Sequence, residues 1–123
     1  FVISSMKMMF GGEIFVPKLY SYNILDLIKS ISVNPTIKEI GLRSGEKINE
    51  EMISENETNK VLEFKNFYII VPNSEYFSYK YSRDKKSKIK KSFSYNSKSN
   101  SHFLSRADLK KLIKNYFKEN DIL

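Results

Sequence analysis

A small α/β domain is the fold class this sequence predicts, on three observations. Helix-spaced apolar stripes run through residues 22–31 and again through "SRADLKKLIKNYF" (105–117). Between them, "VLEFKNFYIIVP" (61–72) concentrates β-branched and aromatic residues. A chain of 123 residues, 41% hydrophobic and 14% aromatic, can build one ordinary core and is too apolar to be disordered.

The elements follow in order. "FVISSMKMMF" (1–10) reads as an apolar helix with Phe1, Val2, Ser5 and Met9 on one face. No start signal precedes Phe1, and there is no initiator methionine, so the chain reads as an excerpt from a longer protein. "GGEIFVPK" (11–18) gives a turn and a strand over 14–16 that Pro17 ends. Ser21 is the expected cap of a helix over 22–31, with Ile24, Leu25, Leu27, Ile28 and Ile31 as its apolar stripe. "TIKEIGL" (36–42) reads as a second short strand anchored by Ile37 and Ile40, and a short helix is expected over 47–53. The run 61–72 reads as two strands around Lys65–Asn66, or one long bent strand. Residues 73–104 have no sustained period and read as a long loop, a length that implies a functional or assembly role. Ser105 and Asp108 then form a capping box that opens the last helix. The chain thus divides into an α/β part over 1–72, a basic loop over 73–104 and a helix over 105–123, within one domain.

The net charge of +7 is localised. Between residues 80 and 98 stand eight basic residues and one acid, and the rest of the chain balances. Such a run is most often a solvated loop. Beside it, Tyr76, Phe77, Tyr79 and Tyr81 can stack bases of single-stranded nucleic acid, or pack the loop onto its own domain or a neighbouring subunit. The lack of cysteine excludes disulfides and thiolate metal sites and suits a reducing compartment, so a cytoplasmic location is expected. A lone His102 cannot build a zinc site, and no acidic cluster has the spacing for magnesium or calcium. No apolar run approaches the roughly 18–20 residues that span a bilayer, so no membrane partner is expected.

Catalytic motifs are sparse. There is no Gly-x-Gly-x-x-Gly, no P-loop and no recognisable Ser/His/Asp set. Tyr-x-x-x-Lys occurs twice, at Tyr76/Lys80 and Tyr81/Lys85, but chance yields such spacings in a chain this rich in both residues, and neither lies in a helical pattern. Arg43 is more informative. It sits in "RSGE" (43–46), where a tight turn can present its planar fork to a phosphate. Gly45 permits close approach, and Glu46 can orient the arginine or accept from sugar hydroxyls. The plainer reading is a surface Arg–Glu pair worth about 0–1 kcal/mol.

Together, "GGEIFVPK" (11–18), "IGLRSGEKINEEMI" (40–53), "LEFKNFYIIVP" (62–72) and "YNSKSN" (95–100) are more specific than any one block. In this order and at these distances the chain, from Phe1 to about Ile113, resembles the C-terminal part of the inverting UDP-N-acetylglucosamine 4,6-dehydratases. These are extended short-chain dehydrogenase/reductases of bacterial surface-polysaccharide and flagellin-glycan (pseudaminic acid) biosynthesis. The resemblance implies the C-terminal substrate-binding portion of a Rossmann-type, NADP-dependent lyase. Hydride leaves sugar C4, water is lost across C5–C6, and hydride returns to C6 with inversion at C5. It further implies that Arg43 holds the UDP end of UDP-N-acetylglucosamine or a similar UDP-sugar, with Glu46 as companion. Tyr95, Ser97 and Asn100 match a family block and are the further candidates for substrate binding. NADP and the catalytic residues are expected in an N-terminal region outside this chain, and a homo-oligomer is expected. The chain departs from the family at Ser44, where proline is usual, at Ile48-Asn49-Glu50 for Leu-His-Glu, and at Leu19-Tyr20-Ser21 for Met/Ile-Pro-Ser. A related UDP-sugar 4-epimerase and a basic nucleic-acid-binding module are the alternatives.

Overall fold

The computed structural model describes residues 1–72, 88–89 and 92–119. In chain order its elements are α1 (Val2–Met8), β1 (Ile14–Pro17), α2 (Ile24–Ile31), β2 (Glu51–Ile53), a 3-10 helix (Glu55–Lys60), β3 (Val61–Glu63), β4 (Phe67–Ile70), β5 (Lys88–Ile89), β6 (Tyr95–Asn96) and α3 (Arg106–Glu119). They fall into two units, one from Phe1–Leu19 with Glu51–Asn96, the other from Tyr20–Glu50 with Ser97–Leu123.

The first unit is built on the hairpin in 61–70. Phe64 N donates to Phe67 O at 2.9 Å and closes the turn at Lys65–Asn66, the first of the two arrangements the sequence left open. β4 then pairs with β3 on one side and β1 on the other, giving an antiparallel sheet of order β1-β4-β3-β5. Pro17 stays within β1, opposite Phe67; β1 is an edge strand, where a residue without an N–H is tolerated. Strand alternation sends Val16, Val61, Tyr68 and Ile70 to one face, where they meet Ile53 and Tyr95. Leu62, Ile69 and Val71 point to the other, against Phe64 with Phe15 and Phe67. Because both faces are covered by apolar groups, this segment reads as an unbroken apolar run instead of an alternating one. Ile53, Val61 and Ile69 are fully buried, each worth about 1.5–3 kcal/mol.

In the second unit α2 and α3 pack together. Arg106 Nη2 donates to Lys29 O at 2.8 Å, supplying a partner for a carbonyl near the end of α2. Ser21 lies beside Phe103 in a short parallel bridge, with Ser21 N donating to His102 O at 2.9 Å and Leu104 N to Ser21 O at 2.8 Å. The expected capping box is present, with the Ser105 amide and hydroxyl both donating to Asp108 Oδ2.

Three expectations are corrected. The helix expected from 22 begins at Ile24, and its cap is Asn23, whose Oδ1 accepts from Leu25 N at 2.8 Å; Ser21 is instead held in the bridge to Phe103. Residues 36–42 form no strand, and Ile37 and Ile40 are exposed, because no strand among the described residues pairs with them. The helix expected over 47–53 is absent: 47–50 is irregular and Glu51–Ile53 is strand β2, paired with β6. Burial of Ile53 against Tyr95 outweighs local helix preference there. The stretch read as a long loop contributes β5 and β6. The Tyr76/Lys80 and Tyr81/Lys85 pairs and most of the lysine cluster lie outside the described residues. No helix among the described residues is long and apolar enough to cross a membrane.

Candidate functional site

The Arg43 segment is a tight turn with two closures. Glu46 N donates to Arg43 O at 3.1 Å, Gly45 has φ of 87°, and Ser44 keeps a negative φ, which together define a type II turn. Gly45 occupies the position where that turn needs a left-handed residue. The Glu46 carboxylate closes the turn a second time, its Oε2 accepting from Arg43 N at 2.8 Å. Its other oxygen stands 3.8 Å from Arg43 Nε, a loose pairing. The backbone of Arg43 is thus fixed while its side chain is 74% exposed. An exposed fork on a fixed turn can meet a phosphate with two parallel N–H donors. The strand expected to lead into it does not exist, so the local turn supplies the rigidity. Ser44 holds the second turn position, which favours proline.

The other three candidates are engaged in ties within the protein. Tyr95 is buried, and its hydroxyl accepts from Leu19 N at 2.7 Å and donates to Leu19 O at 3.0 Å. Ser97 Oγ accepts from Glu50 N at 3.0 Å, and Ser97 N donates to Glu50 O at 2.8 Å. Asn100 Nδ2 donates to Ser21 Oγ at 2.9 Å, while its Oδ1 accepts from His102 N at 3.0 Å. Their partners lie 47 to 79 residues away, so these structural ties could not be read from the motif that made them substrate-binding candidates.

A further constellation was missed from sequence. Lys18 Nζ donates to Glu63 Oε1 at 2.9 Å and lies 4.8 Å from the centre of the Tyr68 ring. Burial, then the Glu63 carboxylate and Tyr95, push the Tyr68 phenol above its ordinary pKa. Strand periodicity could have found it: Lys18 is two residues beyond Val16, and Glu63 is opposite Tyr68.

Described residues of the second unit line depressions in its surface. One of ≈ 470 Å³ is lined by Tyr20, His102, Lys111 and Asn115 among others, and one of ≈ 380 Å³ by apolar residues of α2 and α3. Arg43 and Glu46 line neither. No group of three or more His, Asp or Glu among the described residues is placed to hold a metal ion. Nor do these residues fit a dinucleotide cradle. Gly11 and Gly12 lead into a strand, and Gly41 and Gly45 lie in irregular chain, so none opens a helix onto a pyrophosphate.

A family model described as "Polysaccharide biosynthesis protein" matches residues 1–72, more than half of the chain. The chain belongs to the polysaccharide biosynthesis protein family. Among curated members it is 39% identical over 119 residues to the UDP-N-acetylglucosamine 4,6-dehydratase (inverting) of Campylobacter jejuni subsp. jejuni serotype O:2, covering 92% of this chain and 36% of that protein. It is also 35% identical over 115 residues to an uncharacterized membrane protein of Methanocaldococcus jannaschii, covering 85% of the chain and 31% of that protein. Among solved structures, Pen from Bacillus thuringiensis superposes with a TM-score of 0.74 at 29% identity, over 93% of this chain and 34% of that one. The chain is therefore related to the inverting dehydratases and spans about a third of the length of the curated relatives it matches. Arg43 and Glu46 lie inside the segment that the family model matches.

Proposed function

We propose that this chain is the C-terminal, substrate-binding part of an inverting UDP-N-acetylglucosamine 4,6-dehydratase of the extended short-chain dehydrogenase/reductase type, serving surface-polysaccharide or flagellin-glycan synthesis. Arg43 holds the diphosphate of the UDP-sugar. The supporting observation is the turn itself: Glu46 fixes the Arg43 backbone and leaves the guanidinium in solvent. With the backbone already fixed, only the side chain is left to order on binding, and its planar fork suits a doubly accepting phosphate. Glu46 acts chiefly through the turn and stands 3.8 Å from Arg43 Nε, close enough to steer the fork. NADP, which supplies the hydride chemistry, belongs on this reading to residues outside this chain. The same reading places the reaction in the cytoplasm and the enzyme in a homo-oligomer.

The test is steady-state kinetics on the full-length gene product. Arg43→Ala is expected to raise KM for UDP-N-acetylglucosamine by about 10- to 100-fold, the loss of one or two charge-assisted hydrogen bonds. Arg43→Lys keeps a charge but loses the fork, and should fall between. KM and kcat both unchanged in Arg43→Ala would overturn the assignment. Product analysis in the same assay separates loss of water from simple epimerisation at C4.

A further inference from the structure

We infer that Ser97 is a positioning residue for the arginine loop, acting on substrate affinity through Glu50 without touching the ligand. The inference rests on the reading of Arg43 as a diphosphate contact. Residues 32–50 contain no helix or strand, so the segment that presents Arg43 is held by individual bonds. The Glu46 bonds close the turn on itself and leave its position in the unit to be set elsewhere. Ser97 provides such an anchor. Its hydroxyl accepts from Glu50 N at 3.0 Å and its amide donates to Glu50 O at 2.8 Å, so both polar backbone groups of Glu50 are gripped by one residue.

The anchor is close enough to matter. Residues 47–49 alone separate Glu46 from Glu50, so the grip keeps the turn within about 13–14 Å of Glu50 at full extension. Removing the hydroxyl leaves Glu50 held by the Ser97 amide alone, so the turn samples more space and part of the entropy of fixing it falls on substrate binding. Ser97 is half-buried, and its oxygen is already engaged as the acceptor for Glu50.

The experiment is a kinetic cycle on the full-length gene product, with UDP-N-acetylglucosamine as substrate and UDP as inhibitor. Ser97→Ala is expected to raise KM and the inhibition constant of UDP by the same factor, about three- to tenfold, with kcat within about twofold. Ser97→Thr, which keeps the oxygen, should restore both. Combined with Arg43→Ala, Ser97→Ala should add nothing, because the two changes act on one contact. An additive loss in the double variant overturns the inference, as does a rise in KM without any change for UDP, which would mean that Ser97 touches the sugar. Unchanged KM in Ser97→Ala overturns it while leaving Arg43 in place, provided Arg43→Ala is impaired. A silent Arg43→Ala removes the underlying reading and this inference with it. If Ser97→Ala fails to fold, Ser97→Cys serves instead. The weaker acceptor should give an intermediate KM, and a wild-type KM would overturn the inference.

Discussion

Arg43 gains its functional promise from its neighbours. Glu46 and Gly45 together make a turn in which one residue's backbone is fixed and its side chain remains in solvent. The two central turn positions respond oppositely to substitution. Gly45 sits at φ 87° with nothing within 4 Å of the point where a Cβ would stand, so Gly45→Ala costs backbone strain alone, about 1–2 kcal/mol. Ser44→Pro fits the second position of a type II turn and is expected to stabilise by about 0.4–1 kcal/mol, chiefly by restricting the unfolded chain. Thermal melts of the two variants would check this, with a lowered midpoint for Gly45→Ala and a raised one for Ser44→Pro. A rise on Gly45→Ala would show that the turn is not the one described.

Elements hold their places by end-chemistry as much as by cores. The 3-10 helix Glu55–Lys60 is closed by a reciprocal box, in which Ser54 N and Oγ donate to Glu57 Oε2 at 3.0 and 2.8 Å. The backbone bond from Ser54, then its hydroxyl and, more weakly, Lys60, hold the Glu57 carboxyl below its ordinary 4.5 against a small opposing effect of burial. A carboxylate with a lowered folded pKa contributes stability that is fully present above its unfolded value. That contribution is lost as pH falls from about 4.5 through the lowered value. Glu57→Gln should therefore lower stability at neutral pH and flatten its decline on acidification. Urea melts between pH 7 and pH 3 read both effects; parallel curves for wild type and variant would refute the role of the ionised cap. Tyr68 carries the opposite dependence. Its raised phenol contributes stability below its ordinary 10, lost as pH rises through the raised value.

Over the whole molecule, charge and binding are expected to separate. The excess of seven positive charges lies between residues 80 and 98, whereas Arg43 lies in a segment of balanced charge. Replacing Lys85, Lys86, Lys90 and Lys91 by Gln removes four of those charges, and should weaken retention on a polyanion column most at low salt while leaving KM for the UDP-sugar unchanged. A raised KM would mean that the cluster serves the substrate. Much of the architecture was legible in the sequence. The apolar run 61–72 announced its hairpin, Ser105 and Asp108 announced the last helix, and "RSGE" announced its turn, because each rests on contacts within a few residues. What failed was the interval 36–53, where Ile37 and Ile40 stay exposed and Glu51–Ile53 became a strand. The roles of Tyr95, Ser97 and Asn100 were equally hidden, since each is defined by a partner 47 to 79 residues away. The sequence by itself determined the family, the turn at 43–46 and the start of the last helix, for these depend on neighbouring residues and shared motifs. Only the tertiary structure decided which backbone groups pair at long range, because that choice depends on which distant segments are brought close enough to exchange hydrogen bonds.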